Sequence, residues 1–376
     1  MRTRALIDLD AIRANVAVLT ERAGPAQVMA VVKADGYGHG LVPSARAALA
    51  GGASWLGVAF LEEALALRAA GFDGPVLAWL TAPGEDLAPA VAARVDLATS
   101  SLAGLRDLEQ AARATGVTAQ VQLEVDTGLG RAGATPADWP ALCAAAAAAE
   151  AGGAVRVTGL WSHLAHADGG PDHPVVLRQR QVFDRALEVA AGAGLRPDVR
   201  HLANSAATLT APAAHYDLVR PGLAVYGLSP VPQLGGPASF GLRPAMSLRS
   251  TVAQVKRVPA GSGVSYAHRH VTSAETTLAL VPLGYADGVP RAGTNLLPVL
   301  LHGARERVAG TVCMDQFVLD VGDTAVEPGD EVLLFGAGDD GEPTAQEWAE
   351  ALGTIDYEIV TRIGARVPRE YVGGRP

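Results

Sequence analysis

Eight short apolar runs alternate with alanine-rich stretches between residues 27 and 225, and after a Pro/Gly-rich break at Pro230–Pro244 the runs become short, β-branched and turn-punctuated. This pattern predicts an α/β chain, a (β/α)8 TIM-type barrel followed by a mostly β C-terminal domain. A third observation is positional: the unusual polar residues fall at the C-terminal ends of the apolar runs, where such a barrel builds its active site.

Barrel strands are expected over Gln27–Lys33, Trp55–Phe60, Pro75–Leu80, Val95–Ser100, Thr118–Asp126, Val155–Ala165, Val199–Asn204 and Tyr216–Arg220. The run Ala144–Ala149, beside Glu150 and Gly152, reads as the end of a barrel helix. The barrel domain is expected over 1–235, with the first few residues free to join the β domain, which takes 236–376. Within that domain Thr344-x-x-Glu347 forms a capping box ahead of Trp348–Leu352, and Gly353 can close the helix. No solenoid-type repeat is visible.

A net charge of −9 without a basic cluster argues against nucleic acid and anionic membranes as partners. Acids interrupt the segment Met1–Asp10 too early for a signal peptide, and no run is long and apolar enough to span a bilayer, so a cytoplasmic protein is expected. Cys143 and Cys313 are too few for a disulfide framework.

The chemistry starts at Lys33. Only two of the thirty basic side chains are lysines, Lys33 and Lys256. In an arginine-dominated chain, Lys33 is expected to do what a guanidinium cannot: lose a proton in a desolvated pocket and condense with a carbonyl. It follows the apolar run Val28–Val32 and precedes a glycine-rich turn. Arg131 follows the fifth run, His163 ends the sixth, Asn204 and Ser205 follow the seventh, and Arg220 ends the eighth.

Rival readings are weaker. Gly128-x-Gly130-x-x-Gly133 matches a dinucleotide fingerprint but does not open a doubly wound fold. His163, His166, Asp168 and His173 lack a second ligand cluster on other strands, so no metal is expected. Ser205 lacks the nucleophile elbow of a hydrolase and reads better as an anion anchor behind Asn204. A Schiff-base lysine at one strand end and an anion site at another suggest pyridoxal 5′-phosphate, held by its aldehyde and its phosphate. If Arg220 faces the pyridine nitrogen, a permanent cation there weakens the ring as an electron sink and suits racemisation over transamination.

The runs Ala30-Val-Val-Lys33-Ala-Asp-Gly-Tyr37, Asp126-Thr-Gly-Leu-Gly-Arg131, Ser162-His163-Leu-Ala-His-Ala-Asp168, Ala203-Asn204-Ser205 and Arg220-Pro-Gly222 resemble the alanine racemase family. Gly263-Val-Ser-Tyr266, Gly284-Tyr285-Ala-Asp-Gly288, Cys313-Met-Asp-Gln316, Asp356-Tyr357-Glu358 and Arg366-Val-Pro-Arg369 continue the resemblance to about residue 370.

The resemblance implies interconversion of L-alanine and D-alanine, the latter for the cell wall, by a homodimer with shared active sites. Lys33 would carry the cofactor and act as base on one face of the substrate, and Tyr266 of a second copy would act on the other. Tyr37, Ser205, Tyr357 and the backbone of Gly222 and Leu223 would hold the phosphate, and Asn204 would also belong to the cofactor site. Arg131 would meet cofactor and substrate, the Met314 N–H would bind the substrate carboxylate, and Tyr285 would line the entrance. A relay from Tyr266 through His163 and Arg220 to His201 is also implied.

Three departures stand out. Ala267-His-Arg-His270 and Thr311 replace residues common in the family near the substrate corridor, which leaves serine or another small amino acid open as substrate. Where many members carry a lysine carbamylated by carbon dioxide, this chain has Glu124, expected to pair directly with Arg131. Two other classes remain in view, a non-catalytic carrier of pyridoxal phosphate and a decarboxylase of related architecture, which would meet the ring nitrogen with an acid.

Overall fold

The computed structural model describes residues 3–374. All eight expected barrel strands form, as Gln27–Val31, Trp55–Val58, Val76–Ala78, Asp96–Thr99, Ala119–Glu124, Val155–Trp161, Val199–His201 and Leu218–Val219. Neighbours along the chain pair in parallel, and the last strand pairs with the first through Gln27↔Leu218 and Val28↔Val219. Asp217 N donates to Arg200 O at 3.0 Å and Arg220 N to Ala203 O at 2.9 Å, which closes the ring between the seventh and eighth strands.

The strands stop short of the expected C-terminal ends, at Val31 before Lys33, at Glu124 before Asp126 and at Trp161 before Ala165. The reason is burial without pairing. Val32, Leu164 and Ala203 are apolar and buried but sit in loops that fold over the barrel mouth, so the apolar run outlasts the ladder. Inside the ring, Met29, Trp55, Leu77, Ala98, Trp161, Val199 and Leu218 form an apolar cluster of their own. The fifth strand contributes nothing to it.

Outside, alanine-rich helices cover the sheet. In Trp139–Ala151 the alanine run sits within the helix and buries Cys143 and Ala146. Small side chains let that helix approach the strands closely, and alanine loses no side-chain entropy in doing so.

The second domain is built on a six-stranded sheet with spatial order Ala304–Arg307, Pro298–Leu301, Glu331–Phe335, Met246–Thr251, Thr3–Asp8, Arg369–Val372. Thr3–Asp8 thus runs antiparallel to Met246–Thr251 and parallel to Arg369–Val372. Its alternation of buried and half-buried residues fits a strand with one face on a core. Asp8 then caps the helix Leu9–Ala23 by accepting from Ala11 N at 3.0 Å, and that helix leads to the barrel. Thr344 Oγ1 accepts from Glu347 N at 3.1 Å, and Gly353 closes the helix Ala345–Leu352 in a left-handed conformation.

Among the described residues no helix is long and apolar enough to cross a membrane, and no group of three or more candidate ligands converges on a metal position. Both cysteines are free thiols.

Candidate active site

Lys33 opens a turn that L-residues rarely adopt. Ala34, Asp35, Gly36 and Tyr37 all have φ between 52° and 61°, one turn of left-handed helix. Such a turn costs on the order of 1–2 kcal/mol per non-glycine residue and persists only where its surroundings fix it. Here they do. Glu63 Oε1 accepts from Ala34 N at 2.6 Å, and Asp35 Oδ1 accepts from Leu41 N at 2.8 Å. Arg369 of the second domain donates to Gly38 O at 2.9 Å, and a Cβ at Gly38 would lie 2.6 Å from Val360 O. The second domain therefore backs the lysine turn directly.

Lys33 projects into a cavity of about 210 Å³ at the C-terminal mouth of the barrel. Tyr37, Arg131, His163, Asn204, Ser205, Arg220, Gly222, Leu223 and Tyr357 line it too, so ten of the residues singled out from the sequence converge there. Among the described residues the Lys33 amine makes no hydrogen bond or ion pair; its Nζ lies 5.6 Å from the Trp79 ring centroid. Burial, and then the Arg131 charge, push its pKa below the ordinary lysine value, against the pull of Glu63.

The inner wall is an arginine held by fixed acceptors. Arg220 donates to Ser162 O at 2.7 Å, reaches His201 Nδ1 at 2.9 Å and His163 Nδ1 at 3.2 Å, and its Cζ stacks 4.9 Å from the Trp161 ring centroid. Burial draws its pKa down to about 9, still charged at neutral pH. Burial, with the Arg220 charge second, keeps His163 and His201 well below the usual imidazole value, so both are neutral.

The opposite end suits an oxyanion. Ser205 Oγ accepts from Gly222 N at 2.8 Å and Ala224 N at 3.3 Å, which leaves its own proton to donate outward. Leu223 begins the 3-10 turn Leu223–Tyr226, and its N–H has no acceptor within that turn. Tyr37 and Tyr357, ring centroids 6.1 Å apart, are kept protonated by burial, Tyr357 at about 12. A Cβ at position 222 would collide with Tyr37 Oη, so only glycine lets the backbone come this close. Asn204 serves the cavity indirectly, as the N-cap that accepts from Ala207 N at 3.1 Å.

One expectation is corrected. The buried Glu124 makes no hydrogen bond or ion pair with Arg131 among the described residues. The loop after it closes on Asp126 instead, whose carboxylate accepts from Gly128, Leu129 and Gly130 N–H groups at 2.8, 2.9 and 3.2 Å. Arg131 is thereby presented to the cavity. Glu124 feels Arg220 and Arg131 only as nearby charges, and burial outweighs both, raising its pKa to about 7.

Tyr266, Tyr285 and Met314 do not line this cavity. They are 70 %, 43 % and 53 % exposed on the second domain. They belong to one constellation: Thr311 Oγ1 donates to Tyr266 O at 2.8 Å, Ser265 Oγ donates to Thr311 O at 2.6 Å, Tyr285 N donates to Cys313 O at 3.0 Å, and Ala286 N donates to Met314 O at 3.0 Å. Thr311, read as a departure from the family pattern, thus anchors the backbone of Tyr266. Ser265, Ala267 and His268 all have positive φ, a second strained segment.

Trp79 and Trp161 line the cavity and were not singled out as site residues. Trp79 follows the third strand, so the rule that strand ends face the site would have found it. His166 and His173 stack on each other at 4.9 Å and stay outside.

Residues 7–230 match the family description "Alanine racemase, N-terminal domain" and residues 245–371 "Alanine racemase, C-terminal domain". The chain is 67 % identical over 372 residues to the alanine racemase of Frankia casuarinae, covering 99 % of this chain and 97 % of that one. It is 62 % identical over 369 residues to the alanine racemase of Thermobifida fusca, covering 98 % of each. The crystal structure of alanine racemase from D-cycloserine-producing Streptomyces lavendulae superposes with a TM-score of 0.98 at 55 % identity, over 100 % of this chain and 98 % of that one. The alanine racemase of Streptomyces coelicolor gives 0.97 at 57 %, over 99 % and 98 %. With the barrel, the lysine turn and the guarded arginine in place, this chain belongs to the alanine racemase family.

Proposed function

We propose that this enzyme interconverts L-alanine and D-alanine in the Lys33 cavity, with pyridoxal 5′-phosphate as cofactor and with Tyr266 supplied by a second copy of the chain. The observation that carries the reading is an unpaired, partly desolvated amine facing a fixed guanidinium, with neutral hydroxyls and backbone N–H groups across the cavity. That donor set fits a cofactor with an aldehyde at one end and a phosphate at the other. Bound there, the group supplies a carbonyl for the amine and a conjugated ring that spreads negative charge from the substrate Cα.

The remaining work belongs to the side chains. Arg220, charged and held by carbonyl and imidazole acceptors, offers N–H donors where a ring nitrogen would lie. A permanent cation there would keep such a nitrogen unprotonated and so weaken the ring as an electron sink, which suits racemisation. The Lys33 amine, its pKa lowered by burial, can take and return a proton on one face of Cα. Racemisation needs a second acid/base group on the other face. On the cavity wall Tyr37 and Tyr357 belong to the end that suits the phosphate and His163 is held by Arg220, whereas Tyr266, Met314 and Tyr285 lie exposed together in one constellation. A homodimer that brings the partner's copy of this constellation over the cavity supplies the second base from Tyr266, a carboxylate donor from the Met314 N–H and an entrance wall from Tyr285. Arg131, which lines the cavity, would hold the cofactor and the substrate carboxylate.

The test is to incubate the protein and pyridoxal phosphate with L-alanine in deuterated water. Loss of optical rotation together with deuterium at Cα of the D-alanine formed is the expected result. Exchange without loss of rotation, or release of carbon dioxide, would overturn the reading. L-Serine in parallel measures substrate breadth.

A further inference from the structure

We infer that Asp96 and Gln122, inside the barrel beneath the cavity, fix the proton position on His201 and through it the hold on Arg220, which makes them positioning residues for the racemase site. The inference deepens the reading of Arg220 given above and depends on it for its kinetic consequence alone.

Four consecutive barrel strands place one polar side chain each in a buried line. On the fourth strand, Asp96 Oδ1 accepts from Thr158 Oγ1 at 2.5 Å and from Gln122 Nε2 at 3.3 Å. Gln122 Oε1 lies 2.7 Å from His201 Nε2, and His201 Nδ1 lies 2.9 Å from the Arg220 guanidinium. Asp96, Gln122, Thr158 and His201 are all buried. A buried polar line of this kind is tolerable only when every member is satisfied.

The direction of the line follows from its ends. Thr158 Oγ1 and the Gln122 NH2 both donate to Asp96 Oδ1, which leaves the Gln122 carbonyl turned to His201. A carbonyl can only accept, which puts the proton of His201 on Nε2. A neutral imidazole protonated there has a bare Nδ1, and that is the acceptor Arg220 uses. The other tautomer would set N–H against N–H at Arg220 and lone pair against lone pair at Gln122. Asp96 therefore acts on the guanidinium through two intermediates.

The seat for Gln122 is built into the backbone. Pairing of the fifth and sixth strands slips between Val121, opposite Val157, and Gln122, opposite Gly159, so Thr158 is the extra residue of a bulge. Bulges re-aim side chains. A Cβ at Gly159 would lie 2.7 Å from both Cδ and Oε1 of Gln122. Glycine in a strand interior costs stability and marks a close approach, here that of the Gln122 amide. The fifth strand is also the one that gives no apolar residue to the barrel's interior cluster.

The test uses protein labelled with 15N in histidine, with and without pyridoxal phosphate, and assigns His201 by its loss in His201→Asn. The parent should show His201 protonated on Nε2, with a downfield, slowly exchanging proton and a bare Nδ1. In Gln122→Met that proton should move upfield and exchange faster, and kcat should fall roughly tenfold, as on loss of a supporting hydrogen bond to a functional histidine, with KM within about twofold. Gly159→Ala, which keeps Gln122 but displaces its amide, should shift both readouts the same way. Asp96→Leu, which removes the acceptor for the Gln122 NH2, should shift both readouts the same way. A proton on Nδ1 in the parent, an unmoved Nε2 proton in Gln122→Met, or an unchanged kcat there would overturn the inference. A parent that fails to racemise alanine would overturn the functional reading instead and leave the proton position on His201 standing.

Discussion

At the scale of single residues, Lys33 was legible because the chain uses lysine so sparingly, and Arg220 because it ends the eighth apolar run. Borohydride reduction of the pyridoxal-loaded enzyme should label the peptide containing Lys33. Lys33→Arg should lose both the label and the visible absorbance of the bound cofactor, and a label on Lys256 would refute the assignment. Glu124 was only half legible. Its burial follows from its place on a barrel strand, but sequence spacing could not show that the Asp126 turn keeps Arg131 from reaching back to it. The proton on Glu124 gives a signed pH effect. The folded chain holds that proton up to about pH 7, whereas an unfolded chain loses it near 4.5. The folded state thus binds more protons over this range, and the stability of the parent must fall, relative to Glu124→Gln, as pH rises through it. Denaturant midpoints at pH 5 and pH 8 should show the gap moving in favour of Glu124→Gln; a constant gap would refute the assignment. Because no direct ion pair is lost, Glu124→Gln should cost less stability than the ~3–5 kcal/mol expected on breaking a buried pair. Added bicarbonate should leave the parent's rate unchanged.

At the scale of elements, hydrophobic alternation located all eight barrel strands but misplaced their ends, because buried loops over the mouth carry the same apolar residues as the ladder. The backbone of the lysine turn was invisible for a different reason. Gly36 is a normal residue for left-handed geometry, but Ala34, Asp35 and Tyr37 are not, and only their tertiary contacts hold them there. Ala34→Gly removes one Cβ from this geometry and should raise the unfolding free energy by about 0.5–1 kcal/mol, while loosening the lysine and lowering kcat. Equilibrium denaturation set beside steady-state kinetics checks the opposed signs, and a gain in both would show that the strain has no part in holding the amine. Left-handed residues also flank Tyr266, so both proposed bases stand on strained backbone.

At the scale of the whole molecule, the proposed reading assigns the exposed constellation of Tyr266, Tyr285 and Met314 to the active site of another copy. Mixing Lys33→Ala subunits with Tyr266→Phe subunits should therefore give heterodimers in which one of the two sites has both bases. Their activity should exceed that of either parent variant, and heterodimers with no recovery would place the second base elsewhere. Sequence reading left the first residues free to join the β domain but could not name the strands Thr3–Asp8 pairs with, since its two sheet neighbours lie about 240 and 365 residues away along the chain. That arrangement has a consequence for synthesis. Thr3–Asp8 precedes both of the strands it pairs with, and one of its edges stays uncovered until Arg369–Val372 follows, a bare template until then for any extended chain nearby. Arg369–Val372 is in this sense a guard strand, and Arg369 also steadies Gly38 in the lysine turn. Nascent chains arrested before residue 369 should aggregate through Thr3–Asp8 and fail to retain pyridoxal phosphate, two defects with one cause, and a lysine at Leu6 in the same arrested chains should relieve the first without curing the second.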